Sequence, residues 1–142
     1  MVKISFKWLK APDDLSAVFA IREAVFVREQ GFLHEFDVTD QRCLHLLCSA
    51  DGIPAGCARI YPSEAGRWQV GRVAVYPQYR NLKLGAAIVA ECHKKILALG
   101  GSQALLSAQC QAAGFYQKLG YRITSEPYLD EHCPHVDMAR EL

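Results

Sequence analysis

Arg80 and Lys83 stand in a short loop between an apolar run ending near Val75 and a helical run beginning at Leu84. The first N–H groups of a helix have no partner inside it, its dipole is positive there, and two nearby cations add to both. Phosphate or pyrophosphate is the ligand such a loop would take, although an ordinary basic loop has the same composition. Tyr116 offers a phenol that keeps its proton at neutral pH and could serve as an acid, or one half of an aromatic core pair with Phe115. Glu29, Glu35 and Asp37 could bind a cationic amine or draw a proton from it through water, and they could equally form a solvated acidic loop. His45 and His135 are imidazoles able to act as a base near neutrality, or to sit satisfied within strands.

The six cysteines, Cys43, Cys48, Cys57, Cys92, Cys110 and Cys133, form no CxxC pair, and four lie in apolar or small-residue stretches. They read as buried free thiols and, without a paired histidine, not as nucleophiles. His132-Cys133-Pro134-His135 has no second ligand group at zinc-like spacing, so no metal is expected.

Elements that position these groups can be traced along the chain. Ile4, Phe6 and Trp8 alternate with polar residues, which predicts a half-buried strand. After Asp13-Asp14, apolar residues from Leu15 to Phe26 recur at helical spacing, predicting a helix of roughly four turns that stops before Gly31. The acidic stretch Phe32–Arg42 reads as a loop that could carry function. Leu44–Ala50 and Ile53–Tyr61 flank Asp51-Gly52, a hairpin turn pair, and Trp68–Tyr76 continues the meander. Leu84, Ile88, Cys92 and Ile96 mark a helix ending at Gly100-Gly101. Ala104–Ala108 reads as a strand, Ala112–Leu119 as a short helix, and Tyr121–Thr124 and Val136–Arg140 as final strands. Val70–Ala108 is then a strand, helix, strand unit, and such units cross over right-handed between parallel strands. The expected fold is mixed α/β: a mostly antiparallel sheet with one parallel crossover and helices on both faces.

The 142 residues fit a single domain over residues 1–142, able to bury roughly two-thirds of the surface the unfolded chain exposes. With 16 Lys and Arg against 15 Asp and Glu, nothing in the net charge calls for nucleic acid or an anionic membrane, so an anion site must be local. No apolar run approaches the ~18 residues of a membrane span and no signal-like core opens the chain, so a cytoplasmic location is expected.

Val73–Arg80 with Leu84-Gly85-Ala86 resembles the coenzyme A segment of the GCN5-related N-acetyltransferase (GNAT) superfamily. The motif Q/R-x-x-G-x-G/A falls on Arg80 to Gly85, with Lys83 where the family has its first glycine. A second segment, Leu106–Tyr121, resembles the strand and helix that end in F-Y-x-K-x-G-F/Y. Ala24–Gly31, Glu35-Phe-Asp37, Asp40, His45 and Pro134–Met138 are similar to a bacterial subgroup of small acetyltransferases over nearly the whole chain. The resemblance implies acetyl-CoA as cosubstrate. Its acyl-pantetheine arm would lie along Val73, Ala74 and Val75, and its pyrophosphate would be held by Arg80, Asn81, Lys83, Leu84, Gly85 and Ala86. Gln109 stands where an asparagine often does, and Tyr116 matches the tyrosine near the coenzyme sulfur. Tyr116, Glu29 and His135 are the implied catalytic groups, with Glu29, Glu35, Asp37, His45 and His135 facing the acceptor.

The implied reaction is direct transfer of the acetyl group to a primary amine of a small molecule, without a covalent enzyme intermediate. Amine attack yields a tetrahedral species, and a phenol donates its proton to the departing thiolate. Acetylation of a protein N-terminus or lysine is the alternative acceptor chemistry. From another class comes a non-catalytic acyl-CoA sensor that keeps the cofactor segment alone. Members of the superfamily often dimerise, and a homodimer is left open.

Overall fold

A computed structural model describes residues 1–142. The strands are β1 (Ile4–Leu9), β2 (Leu44–Ala50), β3 (Ile53–Pro62), β4 (Arg67–Val75), β5 (Gln103–Gln109), β6 (Arg122–Ile123), β7 (Tyr128–Asp130) and β8 (Cys133–Glu141). The α-helices are α1 (Ser16–Arg22), α2 (Leu84–Ala98) and α3 (Ala113–Lys118). All strands join one sheet in the order β1-β2-β3-β4-β5-β8-β6, with β7 also on β8. Every pairing is antiparallel except β4 with β5, so the expected crossover is present. No helix is long and apolar enough to cross a membrane.

Local chemistry explains the framework. Ile4, Phe6 and Trp8 are half-buried while Ser5 and Lys7 point to water. Asp51 and Gly52 take φ of 50° and 80°, the two left-handed residues that a tight hairpin between right-twisted strands requires. Strand alternation then divides the core between the two faces of the sheet. Leu46, Ile60, Val70, Leu106 and Met138 pack with Ile88, Cys92 and Ile96 of α2. Cys57 and Ala74 face the other way, under Val18 and Ile21 of α1. Gly56 permits the first packing: a Cβ there would lie 2.7 Å from Ile88 Cδ1 and 2.9 Å from the Ala74 carbonyl oxygen.

Several boundaries depart from the periodic reading. α1 ends at Arg22, and Glu23–Glu29 continues as π-helical turns, with the Gln30 N–H reaching back five residues to Val25 O at 3.1 Å. Within Phe32–Arg42, Val38–Gln41 forms a 3-10 turn closed by reciprocal bonds between Asp37 and Asp40. β7 has no sequence-based counterpart, because its three residues are exposed and too few to show a period. β8 starts three residues before the expected Val136.

The parallel pairing is short: it joins Arg67 to Gln103, Trp68 to Ala104 and Gln69 to Leu105, and goes no further. β4 continues to Val75 on β3, and β5 continues to Gln109 on β8. The two strands therefore splay apart, and the sheet opens in its middle.

Candidate active site

The splay forms a cleft of about 300 Å³, walled by Gln69–Val73 on one side and Leu106–Gln109 on the other. β4 carries a bulge there. Cys57 pairs with Ala74 and Arg59 with Gly71, so Arg72 and Val73 together oppose Ala58, and Arg72 takes a φ of 52°. A bulge disrupts the ladder and re-aims side chains, and beyond Gln69 this strand also lacks a partner on the β5 side. An extended pantetheine arm could add as a strand on this open edge toward Val73 to Val75, where the Val75 carbonyl already accepts from Arg80 Nε.

The anion end lies at the start of α2. Pro77–Leu82 forms a 3-10 turn, Lys83 takes the left-handed conformation at φ 56°, and Leu84 opens the helix. This backbone explains why glycine suits the motif position: a residue with a Cβ is strained there. The Lys83 side chain is exposed. Gly85 lets α2 approach α3, since a Cβ would sit 3.2 Å from Phe115 Cζ. Asn81, Lys83 and Arg80 are exposed around the free N–H groups, and the loop as a whole fits a diphosphate.

Arg80 is not free. Its Nη1 and Nη2 donate to Glu29 Oε2 and Oε1 at 2.7 and 2.6 Å, and its Nε donates to Val75 O at 3.0 Å. Glu29 therefore lies at the coenzyme end and does not line the cleft. The Arg80 hydrogen bonds hold its carboxyl below the usual range, which makes it a weak base. This corrects the expectation of Glu29 as an acceptor-side catalytic group.

Tyr116 and His135 both line the cleft. Tyr116 is half-buried, held edge-on by Phe115 at 4.9 Å and Tyr121 at 5.8 Å between ring centroids. Burial pushes its phenol up to about 12. His135 Nδ1 donates to Cys133 O at 2.9 Å, which leaves Nε2 as the lone-pair nitrogen of the neutral ring. Arg59 Nε is the one buried side-chain polar atom without a partner. The Tyr116 hydroxyl and His135 Nε2, neither bonded within the protein, consequently open onto the cleft.

Glu35, which lines the cleft, and Asp37, which does not, belong to one charge network at its floor, and His45 does not line the cleft at all. Arg22, 1% exposed, donates from Nε to Glu35 Oε2 at 2.9 Å and from Nη1 to Asp40 Oδ1 at 2.7 Å. Arg59 Nη1 donates to Asp37 Oδ1 and Asp40 Oδ1 at 2.7 and 2.9 Å, and Arg72 Nε lies 2.9 Å from Glu35 Oε2. Three guanidiniums thus face three carboxylates. Burial raises the Glu35 carboxyl despite its arginines. For Asp40 burial also pulls upward, but the Arg22 bonds prevail and bring it to about 2. Glu35 and Asp37 are therefore both already paired with arginines, Glu35 with Arg22 and Arg72 and Asp37 with Arg59 and Arg72. His45 Nε2 donates to Asp40 O at 3.0 Å, and burial lowers its basicity. Asp40, Cys43 and His45 lie close enough to suggest metal ligands, yet Arg22 and Arg59 already hold the Asp40 carboxylate and would repel a cation.

Arg22, Arg59, Arg72 and Asp40 had no sequence-based role beyond the subgroup likeness of Asp40. The available signal was Ala58-Arg59-Ile60 and Gly71-Arg72-Val73: an arginine inside an apolar strand requires a buried partner. Gln109 lines the cleft, but its Nε2 donates to Gln30 Oε1 at 2.7 Å, so its amide bridges the two sides of the cleft. All six cysteines are free; burial raises Cys43 and Cys48 to about 11 and Cys57 to about 12, keeping them protonated.

The family model described as an acetyltransferase (GNAT) domain matches residues 19–142. A Bacillus subtilis protein provisionally named an acetyltransferase is 36% identical, covering 97% of each chain. Protein ElaA of Escherichia coli is 31% identical over 90% of this chain and 88% of its own. The crystal structure of ElaA superposes with a TM-score of 0.86, covering 98% of this chain and 100% of that one at 28% identity. A Lactobacillus plantarum protein provisionally named an N-acetyltransferase gives a TM-score of 0.91 at 27% identity, covering 98% of both chains. The open β4 edge, the α2 anion loop and these likenesses over almost the full length agree, and the chain belongs to the GNAT acyltransferase family.

Proposed function

We propose that this protein moves an acetyl group from acetyl-CoA to a primary amine of a small molecule, directly and within a ternary complex. The observation that carries the reading is the presence of Tyr116 and His135 in the lining of one cleft, one offering a retained proton and the other a lone pair. His135 Nε2 takes the proton of the attacking nitrogen, and the Tyr116 hydroxyl gives its own to the departing thiolate. N–H groups on the unpaired edge of β4 are the donors that would stabilise the charge gained by the thioester oxygen. The Cys43, Cys48 and Cys57 thiols, held protonated by burial, supply no nucleophile.

The test is an assay of the purified protein with acetyl-CoA against polyamines, amino sugars and amino-acid derivatives, following free thiol and the acetylated amine by mass spectrometry. Acetylated product and intersecting initial-velocity lines are expected. Parallel lines would replace direct transfer by a covalent enzyme intermediate. Coenzyme binding with no acetylated amine across the panel would favour the sensor reading.

A further inference from the structure

Glu29 closes the π-helical turns after α1, and Arg80 stands 51 residues later in the turn that leads into α2, yet the two meet through paired hydrogen bonds. Their side chains are 39% and 42% exposed. An ion pair so open to water contributes little to stability, so its larger consequence falls on whatever else Arg80 would bind. That ligand is the coenzyme diphosphate at the α2 N-terminus, a point that rests on the acyl-CoA reading above. The Arg80 Nε is also engaged, on the carbonyl of Val75 at the end of the strand assigned to the pantetheine arm.

We infer that Glu29 is an internal counter-charge of the coenzyme site: by neutralising Arg80 it lowers the affinity for CoA and lets the spent coenzyme leave. The Arg80 hydrogen bonds keep Glu29 ionised through the neutral range. A carboxylate beside a diphosphate site repels the ligand, and a paired guanidinium attracts it less than a free one. Binding the cosubstrate more tightly in its ground state does not speed the chemical step, and release of product often limits turnover. Glu29 is thus an affinity-setting residue and takes no part in proton transfer.

Titration calorimetry with CoA itself tests this, using the wild type, Glu29→Gln, Arg80→Gln and the double variant at low and moderate salt. Glu29→Gln should bind about 3-fold to 10-fold more tightly at low salt, with the gain shrinking as salt rises. Arg80→Gln should bind more weakly than the wild type, because it leaves the carboxylate bare, and adding Glu29→Gln to it should restore affinity. Equal or weaker binding by Glu29→Gln, or a double variant no better than Arg80→Gln, would show that Glu29 orients Arg80 and would overturn the inference. The double variant decides the question if the single Glu29 variant folds poorly. No heat from the wild type would remove the acyl-CoA reading and this inference together, whereas wild-type binding with the wrong sign in the variants removes only the inference.

Discussion

A phenol can protonate a thiolate only if it still holds its proton when the bond breaks, and the surroundings of Tyr116 meet that condition. Burial raises it to about 12, whereas a free phenol titrates at about 10. Tyr116→Phe keeps the ring against Phe115 and Tyr121 and removes only the hydroxyl. Turnover number should fall by about 100-fold with CoA affinity unchanged, as expected for loss of acid assistance in the transition state. Activity that depends on the protonated phenol persists as pH rises through neutrality and is lost only as pH approaches the raised value. A basic limb of the rate profile below pH about 10 that survives in Tyr116→Phe would belong to another group. Undiminished turnover in Tyr116→Phe, with chemistry shown to be rate-limiting, would leave Tyr116 as a packing residue.

At the scale of elements, the turn into α2 shows how a backbone requirement and a charge requirement compete at one position. Lys83 adopts φ 56°, which costs a residue with a Cβ about 1 kcal/mol relative to the right-handed region. Lys83→Gly removes that strain but loosens the unfolded chain, a penalty of about 0.4–1 kcal/mol. Stability should therefore stay level or rise by less than about 1 kcal/mol, while CoA affinity falls most at low salt. A melting temperature several degrees lower would show that the lysine side chain holds the loop in some other way. Gly56 is the opposite case, because the space is already filled by Ile88 and the Ala74 carbonyl. Gly56→Ala should destabilise by about 1–3 kcal/mol, measured by denaturant unfolding. It should also weaken CoA binding, since α2 must move. Neutral behaviour in both measurements would mean that α2 docks with more slack than the contacts indicate.

For the molecule as a whole, the β2-β3-β4 meander, the parallel crossover and the helices on both faces were legible because alternation, the Asp51-Gly52 turn and the i+4 row of α2 are local signals. The insertion of β8 between β5 and β6, by contrast, is a long-range pairing that no local signal carries. The splay was not legible either, since the loss of pairing after Gln69 and Leu105 depends on how two distant strands diverge. Of the residues expected on the acceptor side, His135 lines the cleft, but carboxylates near one another in sequence gave no sign that Arg22, Arg59 and Arg72 would neutralise them. A second buried cluster went unnoticed for the same reason, and it governs behaviour in acid. Arg140 Nη1 can only donate, so at 3.0 Å it bonds the lone pair of His93 Nδ1, and His93 Nε2 then donates to the Tyr121 hydroxyl at 2.6 Å. This neutral ring ties α2 to β8 and to the chain after α3. Burial, reinforced by Arg140, lowers His93 to about 4 from an ordinary value of 6.5. The folded value is depressed, so the contribution to stability is whole above pH 6.5 and is lost as pH falls toward 4, where the unfolded chain binds a proton the folded one refuses. The loss amounts to about 3 kcal/mol. His45, also lowered by burial, adds in the same direction. Asp40 adds only at lower pH, between 3.8 and about 2, and Glu35, whose carboxyl is raised, runs the other way. His93→Gln can accept from Arg140 and donate to Tyr121 but cannot titrate. Melting temperature should drop from pH 7 to pH 4.5 in the wild type and drop less steeply in His93→Gln; equal slopes would show that His93 takes up its proton in the folded state without loss.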